Sequence, residues 1–379
     1  MLNKIFKLKD TIDVFVSETE FPEKLLIIFH KMTTRDRIEI MTSKDVAKFI
    51  AMLDGKSSTE TILEKIGCFN RDSALELLEY LNKQHLIADT TLNQNTSSRY
   101  RRQVPYFDDM VLDRPGQETQ DILSKKKILV LGCGSTGSAM AEILVRAGIK
   151  NITLIDHKNI TERNISRHTH ASSYDIGRSK SQSLADFLKK ISGDTIINTR
   201  HDILLPTTDL SKWIPQDTDL VINSCDEPYI GHTSLKIGRY LHGKNIPLYV
   251  AGGFDAHLMS SGELIFPPKT PCIDCAQKTF TNALGEWKPT YSTVTPPTAN
   301  NSINISDDRI TSDYVAGGPG GVAAMSGFSA NLGSLRVIQF LTEDSTFDYT
   351  TKRHEYLINE GTMTDFEMER QEGCNVCNN

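Results

Sequence analysis

Apolar positions recur at helical spacing three times within residues 1–92. Val46, Phe49, Ile50 and Leu53 fall at i, i+3, i+4 and i+7 behind a capping Ser43 and ahead of Gly55. Ser57-x-x-Glu60 reads as a capping box before Ile62, Leu63 and Ile66, with Gly67 as the stop. Asn70 or Asp72 opens a third helix that puts Ala74, Leu77, Leu78 and Leu81 on one face. Strand-like stretches at 10–16 and 24–29 precede the helices, and a short strand near 86–87 follows them. Strands around three short helices predict a winged helix for residues 1–92.

The pattern then changes. Residues 88–98 are polar and unpatterned, and 93–120 are expected to be a linker carrying the basic knot Arg99-Tyr100-Arg101-Arg102-Gln103. From 121 to 379, continuous apolar runs alternate with helical stretches. Strands are predicted at 126–132, 151–156, 196–202, 218–226, 246–252 and 263–266, so the fold class is α/β, Rossmann-like, with a mainly parallel sheet. Residues 279–316 are rich in Thr, Asn and Pro and read as a long functional loop.

Charge narrows the partners. With 42 Lys+Arg against 48 Asp+Glu among 379 residues, the net charge is −6, which argues against non-specific adhesion to nucleic acid or to an anionic membrane. A winged helix often binds DNA, yet the third helix carries Glu76 and Glu79 and only Lys83 near its end. Apolar runs such as 25–29 fall far short of the ~20 residues that span a bilayer. Residues 1–9 show no signal-peptide pattern, so a cytoplasmic location without membrane contact is expected.

The chemistry sits in the second half. Cys272-x-x-Cys275 and Cys374-x-x-Cys377 are paired thiols, with Cys374 99 positions beyond Cys275. Such a set reads as a tetrahedral zinc site tying distant segments together, with redox pairs as the alternative. Cys68, Cys133 and Cys225 read as small buried residues. Gly132-Cys133-Gly134-Ser135-Thr136-Gly137 is a G-x-G-x-x-G between a strand and a helix, where backbone N–H groups can meet a phosphate. Asp156 ends the next strand, placed to accept from a ribose hydroxyl. Alone, these features fit a dehydrogenase equally well. Asn164, Arg167, Lys180 and Asp226 follow in order, and cations with one carboxylate suit a triphosphate and Mg²⁺ better than a dinucleotide.

On these residues the segment 99–379 resembles the ubiquitin-activating-type adenylating enzymes, the ThiF/MoeB superfamily. The resemblance rests on Arg99, Tyr100, Arg102 and Gln103, the glycine loop, Asp156, Asn164-x-x-Arg167, Lys180, Asp226 and the two cysteine pairs. It implies ATP, Mg²⁺ and Zn²⁺ as cofactors. It also implies ribose binding by Asp156, triphosphate binding by Asn164, Arg167 and Lys180, and Mg²⁺ binding by Asp226. Arg102 would be a finger reaching ATP across a homodimer, and the four cysteines would hold zinc. The chain departs from the family pattern at Lys158, where a second acid is usual, at His168, where Gln is usual, and at Ser135, where Gly is usual. No cysteine lies between Cys275 and Cys374, so a self-thioester is not expected.

Residues 1–92 resemble PqqD-like domains, which grip leader peptides by strand addition. That pairing is similar to enzymes of the microcin C and pantocin A type, which modify ribosomal peptides. The resulting expectation is a homodimer that captures a short precursor peptide and activates a carboxyl or carboxamide on it with Mg·ATP, leading to cyclisation or nucleotidylation. Rival readings are adenylation of a ubiquitin-like sulfur carrier at its C-terminal Gly, and a non-catalytic partner that delivers peptide to a separate cyclase.

Overall fold

The computed structural model describes residues 1–67, 70–91, 97–226, 229–252, 259–283, 285, 321–343 and 347–377. Within them the chain forms two compact units, residues 1–122 and, apart from 344–346, residues 123–379.

The first unit contains two small antiparallel sheets. β1 (Ile5–Leu8), β5 (Asp54–Ser58) and β6 (Ile87–Asp89) form one, in the order β5-β1-β6; β2 (Ile12–Glu18), β3 (Lys24–Lys31) and β4 (Arg37–Ser43) form a meander. Helices α1 (Lys44–Ala51), α2 (Thr59–Ile66) and α3 (Arg71–Lys83) lie where the apolar periodicity put them. Ser43 caps α1 by accepting from Val46 N–H, and Asn70 caps α3 by accepting from Asp72 and Ser73. The cap of α2 is Ser58 rather than Ser57, because 54–58 is a strand and its last residue turns the chain. Gly67, at φ 73°, ends α2 in the left-handed conformation. Phe29, Phe49, Ile62, Leu78, Leu81 and Leu86 are fully buried and pack as one core.

Two helices lie in the segment expected to be a linker: α4 (Gln103–Met110) and α5 (Gly116–Lys125). Val104, Phe107 and Val111 are buried at i, i+3 and i+7, a stripe that Pro105 and the acidic pair Asp108-Asp109 obscure in the sequence. Asp108 Oδ1 accepts from Gly116 N–H at 2.6 Å and fixes the turn between the two helices.

The second unit is built on a six-stranded sheet. Its strands are β7 (Lys127–Leu131), β8 (Asn151–Ile155), β9 (Ile196–Arg200), β10 (Leu220–Asn223), β11 (Leu248–Val250) and β13 (Glu263–Ile265), in the order β13-β11-β10-β7-β8-β9. Pairing is parallel except between β11 and β13. Every residue of β10 is buried, as a strand covered on both faces requires. Helices α6 (Ser135–Ala147), α7 (Glu162–Ile165), α8 (Lys180–Ile191), α9 (Ile230–Leu241), α10 (Ile273–Ala283) and α11 (Ala323–Leu341) complete the α/β unit. A separate sheet joins β12 (Met259–Ser260) to the hairpin β14 (Lys352–Leu357) and β15 (Thr362–Glu367). The loop expected from 279 begins later, since α10 continues to Ala283; residues 284 and 286–316 lie outside the described residues. No helix among the described residues is long and apolar enough to cross a membrane.

β14 brings a charge into the core. Arg353 is 1% exposed and donates to Glu263 at 2.9 Å, to Glu355 at 2.6 Å and to Ser260 Oγ at 3.0 Å. Burial pushes the Glu263 carboxyl up to about 7, while Arg353 pulls it back. Removing one member strands the other without its partner. Arg353→Met should therefore cost about 3–5 kcal/mol in denaturant melts, and adding Glu263→Met should recover part of that loss. A double-variant cost equal to the sum of the two single-variant costs would show that the pair is not coupled.

Candidate functional site

The chain leaves β7 toward β8 and β9 on one side, while β10 and β11 lie on the other. The crevice at the carboxyl ends of β7 and β10 is thus a topological switch point, the usual place for a ligand in such a sheet. Gly132 follows β7 at φ 89°, and a Cβ there would lie 2.8 Å from the carbonyl carbon of Ser224. At Gly137 a Cβ would fall 2.1 Å from Gly132 O and 2.5 Å from Ser224 Oγ. Ser224 Oγ donates to Gly132 O at 3.1 Å, joining the two strand ends. Gly134, the N-cap of α6, has open space where a Cβ would point and makes no side-chain capping bond. The first-turn N–H groups of α6 therefore face the crevice without a side-chain acceptor at the cap, an arrangement that suits an anion.

Asp156 lies just beyond β8. Its Oδ2 accepts from Cys133 N–H at 2.7 Å and its Oδ1 from Lys158 N–H at 2.8 Å, so it holds the glycine loop against the strand end. Each carboxylate oxygen has a second lone pair, which leaves capacity for a hydroxyl donor. Asn164 also works on the backbone: its Oδ1 accepts from Thr161 N–H at 2.9 Å and Thr161 Oγ1 at 3.1 Å, capping the single turn of α7. Arg167 N–H donates to Asn164 O at 2.9 Å, which places the arginine just after that turn.

Lys180 begins α8 and is 8% exposed, and its backbone N–H donates to Lys158 O at 3.0 Å. Its ammonium makes no hydrogen bond or ion pair among the described residues. Around it lie Lys158, His168 and His170. Burial, then Lys180, pushes His168 down to about 3; burial lowers His170 to about 4, with Asp175 opposing. Both imidazoles are neutral near pH 7. Nδ1 of His168 and both ring nitrogens of His170 are buried without a partner.

Asp226, beyond β10, is exposed. A buried polar network sets the strand end before it: Asn223 Nδ2 donates to Thr233 Oγ1 at 3.0 Å and Ser234 Oγ at 2.9 Å, while Asn223 Oδ1 accepts from Cys225 N–H at 3.1 Å. Neither motif nor spacing marks Asn223, Thr233 or Ser234 in the sequence. An Asn inside the apolar run Leu220–Asn223 was the available signal, because a buried amide demands partners. Cys133 and Cys225 are thiols that burial drives well above their usual range, which disfavours a nucleophilic role.

Arg102 lies in the first unit as the exposed residue before α4, with no hydrogen bond or ion pair among the described residues. In the second unit Cys272, Cys275, Cys374 and Cys377 converge, with all four sulfurs within 4.8 Å of one another. Cys272 and Cys374 are 3.6 Å apart and Cys275 and Cys377 3.5 Å. A tetrahedron of thiolates around zinc, with ~2.3 Å bonds, has edges of about 3.8 Å, so the donor set fits such an ion. Backbone N–H groups of Val376 and Cys377 draw the Cys374 thiol down to about 7, whereas burial pushes Cys377 up to about 11. Gln371 N–H also points at Cys275 Sγ, at 3.3 Å.

A Rossmann-like sheet with a glycine loop, a strand-end carboxylate and clustered cations at its switch point defines a nucleotide-binding domain. The chain belongs to the ThiF family, whose model matches residues 101–376. It is 32% identical over 151 residues to the Xenopus laevis adenylyltransferase and sulfurtransferase MOCS3, covering 40% of this chain and 30% of that protein. The chain thus spans less than a third of the length of the first curated relatives it matches. Its fold is similar to that of Escherichia coli MccB solved with ATP, at a TM-score of 0.70 and 22% identity over 99% of both chains. It is also similar to PaaA, at a TM-score of 0.57 and 18% identity over 78% of this chain and 91% of that one.

Two outcomes follow from this geometry. Gly137→Ala should lower stability by about 1–3 kcal/mol or more in thermal melts, because backbone must move, whereas Gly134→Ala should change it little. Equal effects would mean that the close approach does not matter. The native state keeps His168 and His170 neutral where the unfolded chain protonates them near 6.5, so the unfolded state binds more protons. Stability should therefore fall as pH drops from about 6.5 toward 3, and less steeply for His168→Gln in urea titrations.

Proposed function

We propose that the protein is an ATP-dependent enzyme that activates a carboxyl or carboxamide group of a ribosomally made precursor peptide. The observation that carries this reading is the fold match over 99% of both chains with E. coli MccB, which has been solved with ATP and with MccA. A match of that extent includes the front unit, which adenylation alone does not require. The edge strand β2 adds support: Phe15 and Val16 are 52% and 55% exposed, an apolar edge suited to strand addition by a peptide. In this reading residues 1–92 are the PqqD-like peptide grip, 93–120 carry the arginine finger segment, and 121–379 form the adenylation domain.

The roles follow from the crevice. The N-terminus of α6, with Gly132, Gly134 and Gly137, receives phosphate, and Asp156 accepts from ribose. The Asn164 amide, Arg167 and Lys180 offset charge on the triphosphate oxygens. Asp226 would hold Mg²⁺, which supplies further charge neutralisation when bound. A substrate carboxylate oxygen bonds to the α-phosphorus as the bond to pyrophosphate breaks, giving an acyl adenylate. An amide or side-chain nucleophile of the peptide then bonds to the acyl carbon, giving up its proton as AMP leaves and closing a ring, or the nucleotidyl group stays on the product. Arg102 acts from the other subunit of a homodimer. Cys272, Cys275, Cys374 and Cys377 hold zinc as a structural clamp. A second reading, adenylation of a sulfur-carrier protein, is favoured by the curated relatives named as sulfurtransferases.

The test is to incubate the protein with Mg·ATP and the short peptide encoded beside its gene, then measure the peptide's mass. Gain of a nucleotidyl group or loss of water supports the proposal. An unchanged peptide with no ATP consumed overturns it, and adenylation of a sulfur carrier alone selects the second reading. Elemental analysis should find about one zinc per chain, lost in Cys374→Ser together with several degrees of melting temperature.

A further inference from the structure

We propose that Arg239 is a positioning residue of the four-thiol site, and that it raises the site's affinity for zinc by offsetting negative charge beside the thiolates. The inference rests on the zinc reading above and goes beyond it by naming a residue outside the donor set on which that affinity depends.

The first thiol pair is seated by α9. Ile273 and Asp274 stand between Cys272 and Cys275, and two successive residues of α9 meet these two. Gly238 lies against Ile273: a Cβ at Gly238 would fall 2.6 Å from the Ile273 Cβ, so a side chain there would force α9 away from the start of α10. Arg239 takes the other residue. Its Nε donates to both carboxylate oxygens of Asp274 at 3.1 Å, and a terminal nitrogen of the same guanidinium also donates to Oδ1. Held in this way, the guanidinium has Cys272 and Cys374, one thiol from each pair, within electrostatic reach.

Charge makes this placement matter. Zinc bound by four thiolates carries two net negative charges, and Asp274, set between two of the donors, adds another beside them. A nearby negative charge favours the protonated thiol, and only the thiolate binds metal. Asp274 alone would therefore weaken the site. Arg239 cancels that carboxylate, and the same hydrogen bonds fix its cation near the sulfurs. As an ion pair the two add little to the fold, because their side chains are 58% and 20% exposed. The Arg146–Glu142 pair within α6 matches them at 57% and 19% and involves no residue of the thiol site, so it serves as a control.

Competition for zinc between the full-length protein and a chromophoric chelator tests this with a readout independent of turnover. At low salt Arg239→Met should weaken zinc affinity by roughly tenfold. Arg239→Lys, which keeps the charge but not the planar fork, should fall between that variant and wild type. In about 1 M salt, where charges are screened beyond about 3 Å, the loss in Arg239→Met should shrink to about threefold or less. Arg146→Met should bind zinc as wild type does. Wild-type affinity in Arg239→Met, a loss that salt does not reduce, or an equal loss in Arg146→Met overturns the proposal. Arg239→Gln decides by the same outcomes should Arg239→Met fail to fold. Failure of the wild-type protein to bind zinc at all instead overturns the zinc reading on which the proposal stands.

Discussion

The crevice depends on one close approach of backbone to backbone. Gly137, in the first turn of α6, packs so near Gly132 O that a methyl group would overlap it, and Ser224 closes the same point from β10. That contact sets where α6 begins, and with it the direction in which the helix N-terminus aims its free N–H groups. It also fixes the separation of two strand ends, the one followed by the glycine loop and the one followed by Asp226. A hydrogen bond such as that from Ser224 to Gly132 contributes only about 1 kcal/mol net. Its importance is geometric: the loop after β7 and the loop after β10 share one position, so a shift in either disturbs both.

Electrostatics builds on that frame in an unusual way. A buried lysine is commonly matched by a carboxylate, but Lys180 is backed by two neutral imidazoles with unpaired nitrogens. Unpartnered buried polar atoms each cost about 1–3 kcal/mol, a cost that falls on the ligand-free protein. The free site is therefore strained in charge and in hydrogen bonding before any ligand arrives. An anion relieves the charge, which favours binding without requiring the loops to rearrange.

Much of this was legible in the residues. The six strands of the large sheet stand where they are expected, each trimmed by one or more residues; in the inner strands burial writes an apolar signal, whereas the edge strand β9, IINTR, is mostly exposed. Helices α1 to α3 were legible from periodicity and caps. The elements that were not legible owe their existence to pairing or tertiary packing. β1 has four residues and no alternation, and β12 has two, so only their partners define them. α4 hides its stripe behind Pro105 and two acids. In the crevice, the order of Gly132, Asp156, Arg167, Lys180 and Asp226 could be read, but the backbone-capping work of Asn164 and the network under Asn223 could not. Both depend on which donors the fold brings within hydrogen-bond distance, and neither spacing nor composition encodes that.

The thiol cluster has a temporal side. Its halves are separated by about a hundred residues of chain, yet the sulfurs of Cys272 and Cys374 meet at 3.6 Å. During synthesis the first pair emerges long before the second. The domain's sheet can form, but its fastening must wait until Cys377 has left the ribosome. A chain stopped early by damage or a premature termination codon would retain every crevice residue and lack the clasp.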